Sequence, residues 1–260
     1  EPWFSVIDFG VGLSPEQTTQ LYVTYFDSTK TNSNDFIGAL GLGSKSPYAY
    51  TKQFTVATRY GQQEHVYTAY ISETGVPTLA HMSSQETDQV NGLTVTVPVN
   101  ETDIYSFNQV IDLIYGWFNT PPIDQDGKPV AKHQLHATPH KKTFIHDMNT
   151  YYRTVARMGN VVYPINLSSA QADEMFGRYS IYLSQRLVLD FDIGELDFQA
   201  SREELSYIPS TVENIKKRLI ALYATTTRYI ESELSHYDTK WMQFAFINSI
   251  KQDSIFDLAI

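Results

Sequence analysis

The chain reads as an α+β protein of two domains, and three observations predict it. Strand-like runs with period-two alternation, over residues 53–60, 66–71 and 93–99, are followed by helical apolar spacing over 102–118. A stretch rich in Pro, Gly and Asp, residues 119–132, then interrupts the pattern. Beyond it the order repeats, with short strands and then a long helix, as a second α+β unit would read. The expected limits are 1–118 for the first domain, 119–132 for a connector and 133–260 for the second.

Each element has its own local signal. Trp3-Phe-Ser-Val-Ile7 is an apolar strand that runs into Asp8. Ser14-Pro-Glu-Gln17 is a helix start, with a cap residue, proline at the first helical position and glutamine three beyond the cap. Residues 27–35 are polar and turn-rich without an apolar period, so a loop is expected. The strands at 53–60 and 66–71 are joined by Gly61-Gln-Gln-Glu64, and the strand at 93–99 carries Pro98 near its end. Ile104, Phe107, Ile111, Ile114 and Phe118 share one face of a helix. In the second half, 160–165 and 186–193 are short strands. Ser210-Thr-Val-Glu213 reads as a capping box opening a long helix, with Val212, Ile215, Leu219, Leu222, Ile230 and Leu234 inward. From Lys240 the tail is amphipathic and aromatic.

Composition narrows the function. At 260 residues, 42% hydrophobic and 18% charged, the chain can bury two cores. Eighteen tyrosines and 14 phenylalanines suit strand-rich packing. A net charge of −10 argues against a bulk DNA- or RNA-binding surface, which needs a basic face, but leaves room for a nucleotide, which needs only a few local donors. The chain has no cysteine, hence no disulfide, no thiolate chemistry and no Cys-based zinc site. No apolar run approaches the roughly 18–20 residues of a membrane span, and no signal-peptide pattern is present. Histidines 133, 136, 140 and 146 lie in a polar, Lys-containing stretch without a helical zinc signature, so a solvated linker is expected there rather than a metal site.

Two glycine motifs carry the chemistry. Asp8-Phe-Gly10-Val-Gly12 follows the first strand, and Gly38-Ala-Leu-Gly41-Leu-Gly43-Ser-Lys-Ser46 leads into Pro47-Tyr-Ala-Tyr50. Glycines sit where a backbone turns tightly or approaches a ligand. If the second run opens a helix, its unpaired N–H groups favour phosphate. An acidic loop for a base and a Lys-containing glycine loop for phosphates is the arrangement expected around a nucleotide. A Walker-type loop is excluded, because its four-residue gap and Gly-Lys-Ser ending are missing.

The two motifs together resemble the Bergerat-type ATP site of the GHKL class, which includes gyrase B subunits, ninety-kilodalton heat-shock chaperones, sensor kinases and MutL mismatch-repair proteins. Within it the wording is closest to the rapid-lysis A (rIIA-like) proteins of T-even and related bacteriophages. Tyr25-Phe-Asp-Ser-Thr-Lys30, Ser33-Asn-Asp-Phe-Ile-Gly38, Gly41-Leu-Gly-Ser-Lys-Ser-Pro47, Gly92-Leu-Thr-Val-Thr-Val-Pro-Val99, Val162-Tyr-Pro-Ile165 and Leu196-Asp-Phe-Gln-Ala-Ser-Arg-Glu203 look like that family, in order along nearly the whole chain. The resemblance implies an incomplete Bergerat-type sandwich followed by a transducer-like domain. It implies ATP with Mg2+ as ligand, and Asp8 accepting a hydrogen bond from the adenine amino group. Gly10 and Gly12 would pass close to the base; Gly38, Gly41, Gly43, Ser44, Lys45 and Ser46 would cradle phosphates, with Lys30 adding a contact. Thr94 matches the threonine that fixes adenine, although here Leu93 stands between it and the preceding glycine. Arg202 matches the arginine that reaches the γ-phosphate and couples it to the second domain.

The resemblance further implies a phage-encoded early protein acting on lysis timing and phage exclusion. Its place would be the cytoplasm of the infected bacterium, free or peripheral to the inner membrane, with a companion phage lysis protein as a partner and a dimer for the full-length form. The pattern departs at one point. The class carries a glutamate that activates water and an asparagine that binds magnesium on a helix ahead of the first motif, and the seven residues before Asp8 hold no such helix. The natural protein is therefore expected to extend further N-terminally, and this chain is not expected to hydrolyse ATP efficiently. Two other readings stay open: an interaction protein that keeps the fold for structure alone, and a DNA-topology or repair accessory, against which the acidic charge speaks.

Overall fold

The computed structural model describes residues 2–23, 43–147, 153–199, 204–250 and 256. The α+β class expected from the sequence is what it shows, in two compact units, 1–110 and 111–260. The division falls within a helix rather than in the 119–132 stretch.

In the first unit, β1 (Trp3–Asp8), β2 (Gln53–Tyr60), β3 (Gln63–Ile71), β4 (Pro77–Glu86) and β5 (Gly92–Pro98) form one sheet, ordered β1-β5-β2-β3-β4, with every neighbour antiparallel. Alternation along the central strands sends Phe54, Val56, Tyr67, Ala69 and Val97 to one face, where Tyr22 of α1 (Pro15–Val23) joins them in a core. A fully buried side chain of the size of Val56 or Phe54 contributes roughly 1.5–3 kcal/mol. α1 starts as its sequence predicts: the Gln17 amide donates to Ser14 Oγ at 3.3 Å and the Ser14 amide to Gln17 Oε1 at 3.0 Å. The β2–β3 hairpin closes through Gly61 and Gln62, both at positive φ (59° and 62°), the twist that a two-residue turn between antiparallel strands requires. A short 3-10 helix, Glu101–Asp103, leads into α2 (Ile104–Tyr115), whose Phe107 packs on Phe4 and Tyr50 at 5.5 and 5.2 Å.

The second unit holds β6 (Leu135–Ala137), β7 (Thr143–His146), β8 (Val155–Met158), β9 (Val161–Pro164), α3 (Ser169–Phe176), β10 (Leu187–Phe191), α4 (Pro209–Leu234) and α5 (Lys240–Ile250). Its sheet runs β6-β7-β10-β8-β9, and only the β10–β8 pair is parallel. β10 is buried on both faces along Leu187-Val-Leu189, which explains its apolar run there. Leu187, Leu189 and Phe191 join the core that α4 fills with Ile215, Leu219 and Leu222, while Val188 meets Trp117 and Val155 on the other side. Arg157 and Asp190 make a two-pronged ion pair between β8 and β10, at 2.6 and 2.7 Å.

Two local expectations are corrected. α4 begins two residues earlier than a Ser210 cap would place it, with Ile208 at the N-cap, Pro209 in the first turn and no side-chain cap. Ser210 Oγ instead donates to Asp197 Oδ2 at 3.2 Å, and Thr211 Oγ1 accepts the Asp197 amide at 3.0 Å. The capping box that does form is Ser168–Gln171, at the start of α3. The histidine stretch is not a solvated linker. His146 is buried with Nε2 2.7 Å from the Arg153 carbonyl oxygen, His133 stacks edge-on against Trp117 at 4.7 Å, and β6 and β7 run through the segment. Among the described residues no helix is long and apolar enough to cross a membrane.

Candidate nucleotide site

Asp8 ends β1, and its exposed carboxylate is fixed by its own loop, because Oδ1 accepts the Gly10 amide. Directly opposed residues of an antiparallel pair share a face. Asp8 opposes Leu93, and Leu93 opposes Thr58, so these three side chains lie on the face that α1 covers. Thr58, fully buried, locks the loop to the sheet: its hydroxyl meets both the Leu13 amide and the Leu13 carbonyl at 2.9 Å.

Glycine is required at two positions of the backbone beside Asp8. Gly12 sits at φ +74°, and a Cβ there would lie 2.0 Å from the Arg59 carbonyl oxygen. A Cβ on Gly92 would lie 2.1 Å from the Asp8 carbonyl oxygen. The loop after β1 and the first residue of β5 therefore press directly on neighbouring backbone.

Thr94 is placed otherwise than the resemblance implies. It opposes Ile7 and Ala57, one step along β5 from Leu93, and so faces away from Asp8. Its hydroxyl accepts from Arg59 Nη1 at 3.4 Å. Leu93 holds the position on the Asp8 face.

The second motif also differs in form. Gly43–Ala49 is a seven-residue 3-10 helix with Pro47 inside it, not the start of an α-helix. Ser46 Oγ turns back to the Gly43 carbonyl at 2.8 Å, and Ser44 follows Gly43 in the same turn. Lys45 is buried, and its ammonium donates to the Leu21 carbonyl in the last turn of α1, where a cation offsets the negative helix end. Lys30, Gly38, Gly41 and Arg202 lie outside the described residues.

Sequence reasoning missed Arg59. Only 8% exposed, it donates from Nε to the Val90 carbonyl at 3.0 Å, comes within 3.9 Å of Glu64 Oε1, and lends its own carbonyl to the underside of Gly12. It thereby ties the loop before β5 to the loop after β1. An arginine at an alternating strand position carries no local signal of this; only the strand order makes it visible.

No protein-family model matches the chain, and no curated protein matches it. Among solved structures, the ATPase region of Saccharomyces cerevisiae topoisomerase II is similar, with a TM-score of 0.48 and 10% identity over 85% of this chain and 76% of that one.

Proposed function

We propose that this chain binds an adenine nucleotide as a GHKL-class, Bergerat-type protein, with ATP biasing the arrangement of its two domains. The observation that carries the reading is the exposed Asp8 carboxylate, which accepts the Gly10 amide in a loop that Gly12 lets lie directly on the backbone of β2. An ionised carboxylate only accepts hydrogen bonds, so it selects a base edge that donates, as the adenine amino group does. ATP supplies that donor edge and, in its terminal phosphoryl group, the charge that signals occupancy. Among the described residues, Asp8, Gly10 and Gly12 are the candidates for the base side of this ligand. On the phosphate side, the assignments of Lys30, Gly38, Gly41 and Arg202 rest on sequence resemblance. Gly43, Ser44 and Ser46 remain candidates, while Lys45 fits a scaffold role better. Mg2+ accompanies the nucleotide in this reading, and none of the described residues is assigned to it.

The finer setting rests on the same ordered resemblance: an early bacteriophage protein acting on lysis timing and phage exclusion inside the infected bacterium, with a companion lysis protein as partner. One observation favours a second reading, a scaffold that keeps the fold without the ligand: the burial of Lys45 against Leu21. Calorimetric titration of ATP and a non-hydrolysable analogue, with Mg2+, into this chain and an N-terminally extended form separates the two. Saturable binding to either form, abolished by Asp8→Asn, is the expected result. No heat of binding in both forms would leave the scaffold reading standing.

A further inference from the structure

The β3–β4 hairpin gathers two imidazoles and a hydroxyl that the nucleotide reading does not use. β3 is regular, so His65 and Tyr67, two residues apart, share a face. β4 is not: its register shifts between Val66 and Tyr67, pairing Val66 with Ser83 and Tyr67 with His81, so that Met82 is an extra residue. Side chains three apart on a regular strand point to opposite faces, but this bulge turns His81 and Ser84 to the same one. Ser84 opposes His65 in that register.

The outcome is convergence on one oxygen. Ser84 Oγ lies 2.7 Å from His65 Nδ1 and 2.7 Å from His81 Nε2, with the rings tilted 54° and their centroids 6.3 Å apart. A hydroxyl has one hydrogen, so it donates to one ring nitrogen and accepts from the other. Tyr67 meets the His81 ring edge-on at 5.3 Å and limits its rotation. His81 and Ser84 are exposed and His65 half-buried, so the point between the rings is open to solvent. On α1, Glu16 faces His65. The Ser14 hydroxyl, then its own backbone amide, and also His65 keep its carboxyl below the ordinary carboxylate range.

We propose that His65 and His81, with the Ser84 hydroxyl, form a binding site for a borderline divalent transition metal of the zinc and copper class. Imidazole nitrogen is a preferred donor for these ions, at about 2.0–2.1 Å for zinc. Both nitrogens already turn to the Ser84 oxygen, and an ion entering between them replaces those two hydrogen bonds while Oγ shifts aside or joins the coordination. Water completes the coordination, and the negative charge of Glu16 favours a cation nearby. Among the described residues no three His, Cys, Asp or Glu side chains group to hold a metal, so this is a two-imidazole site with open positions. By joining β3 to the edge strand β4, the ion would raise the stability of the folded state through mass action.

The test is zinc titration by calorimetry into the whole chain after chelator treatment, with copper(II) and electron paramagnetic resonance as a second probe. One zinc site is expected, weakened at least about tenfold by His65→Ala or by His81→Ala, as loss of a ligand should exceed loss of an outer partner. His236→Ala, an exposed histidine beyond α4, is expected to leave it unchanged. Unaltered zinc affinity in the double variant His65→Ala/His81→Ala, or equal weakening by His236→Ala, would overturn the proposal. The copper spectrum of the unsubstituted chain needs no variant to fold: two equatorial nitrogens support the site, and fewer refute it.

Discussion

At residue scale the tightest constraint is the absence of a side chain at Gly12 and Gly92. Gly12→Ala places a methyl group against the Arg59 carbonyl at positive φ, and a loss of about 3 kcal/mol or more is expected in urea unfolding. Gly75→Ala is the matched control, with positive φ but open space, and should cost only about 1–2 kcal/mol. Equal costs would mean that the Asp8 loop is not pressed on its neighbours. Thr94→Val should leave nucleotide affinity within about twofold, since a hydrogen bond on the far face is all it removes. His146 gives the pH dependence. Burial, its largest influence, lowers its pKa, as it also does for His140. An unfolded imidazole titrates near about 6.5, so the contribution is complete above that value and drains away as pH falls towards the lower folded value, the unfolded state taking the proton first. Urea midpoints should therefore drop between pH 7 and pH 5, and His146→Gln should flatten the slope; an unchanged slope would contradict the assignment. The loop at Asp8 after β1 and the Ser14 start of α1 were legible in the sequence because their signals are local. Thr94 was not, because a one-residue step reverses the face and only the β1–β5 register fixes it.

At the scale of elements, long periodic segments read well and short ones did not. The inward positions of α4 were legible, and Ile215, Leu219 and Leu222 are fully buried in the core. Leu219→Ala should cost about 2–5 kcal/mol by the cavity it leaves. The start of α4 was misread because Pro209 and Thr211 do the work assigned to Ser210. Ser210→Ala is expected to stay within about 0.5 kcal/mol and Thr211→Ala to cost about 1–3 kcal/mol, since it strands the Asp197 amide. The reverse order would restore the capping box. β4 gave no strand signal, because its second half, Ser83-Ser84-Gln85-Glu86, is exposed and without alternation. β6 and β7, of three and four residues, are too short for a period to show, and they turned a polar histidine stretch into sheet.

At the scale of the whole molecule, charge and ligand class set the remaining expectations. A net charge of −10 predicts no retardation of duplex DNA at physiological salt, and a salt-sensitive shift would revive the topology-accessory reading. The central claim is that Asp8 and its glycine loop meet a nucleotide. Amide hydrogen exchange with and without ATP and Mg2+ tests it most directly, because it reports where protection appears. The account predicts slowed exchange over residues 8–13 and at the start of β5, lost in Asp8→Asn. ATP-dependent protection confined to the second unit, with exchange around Asp8 unchanged, would contradict it.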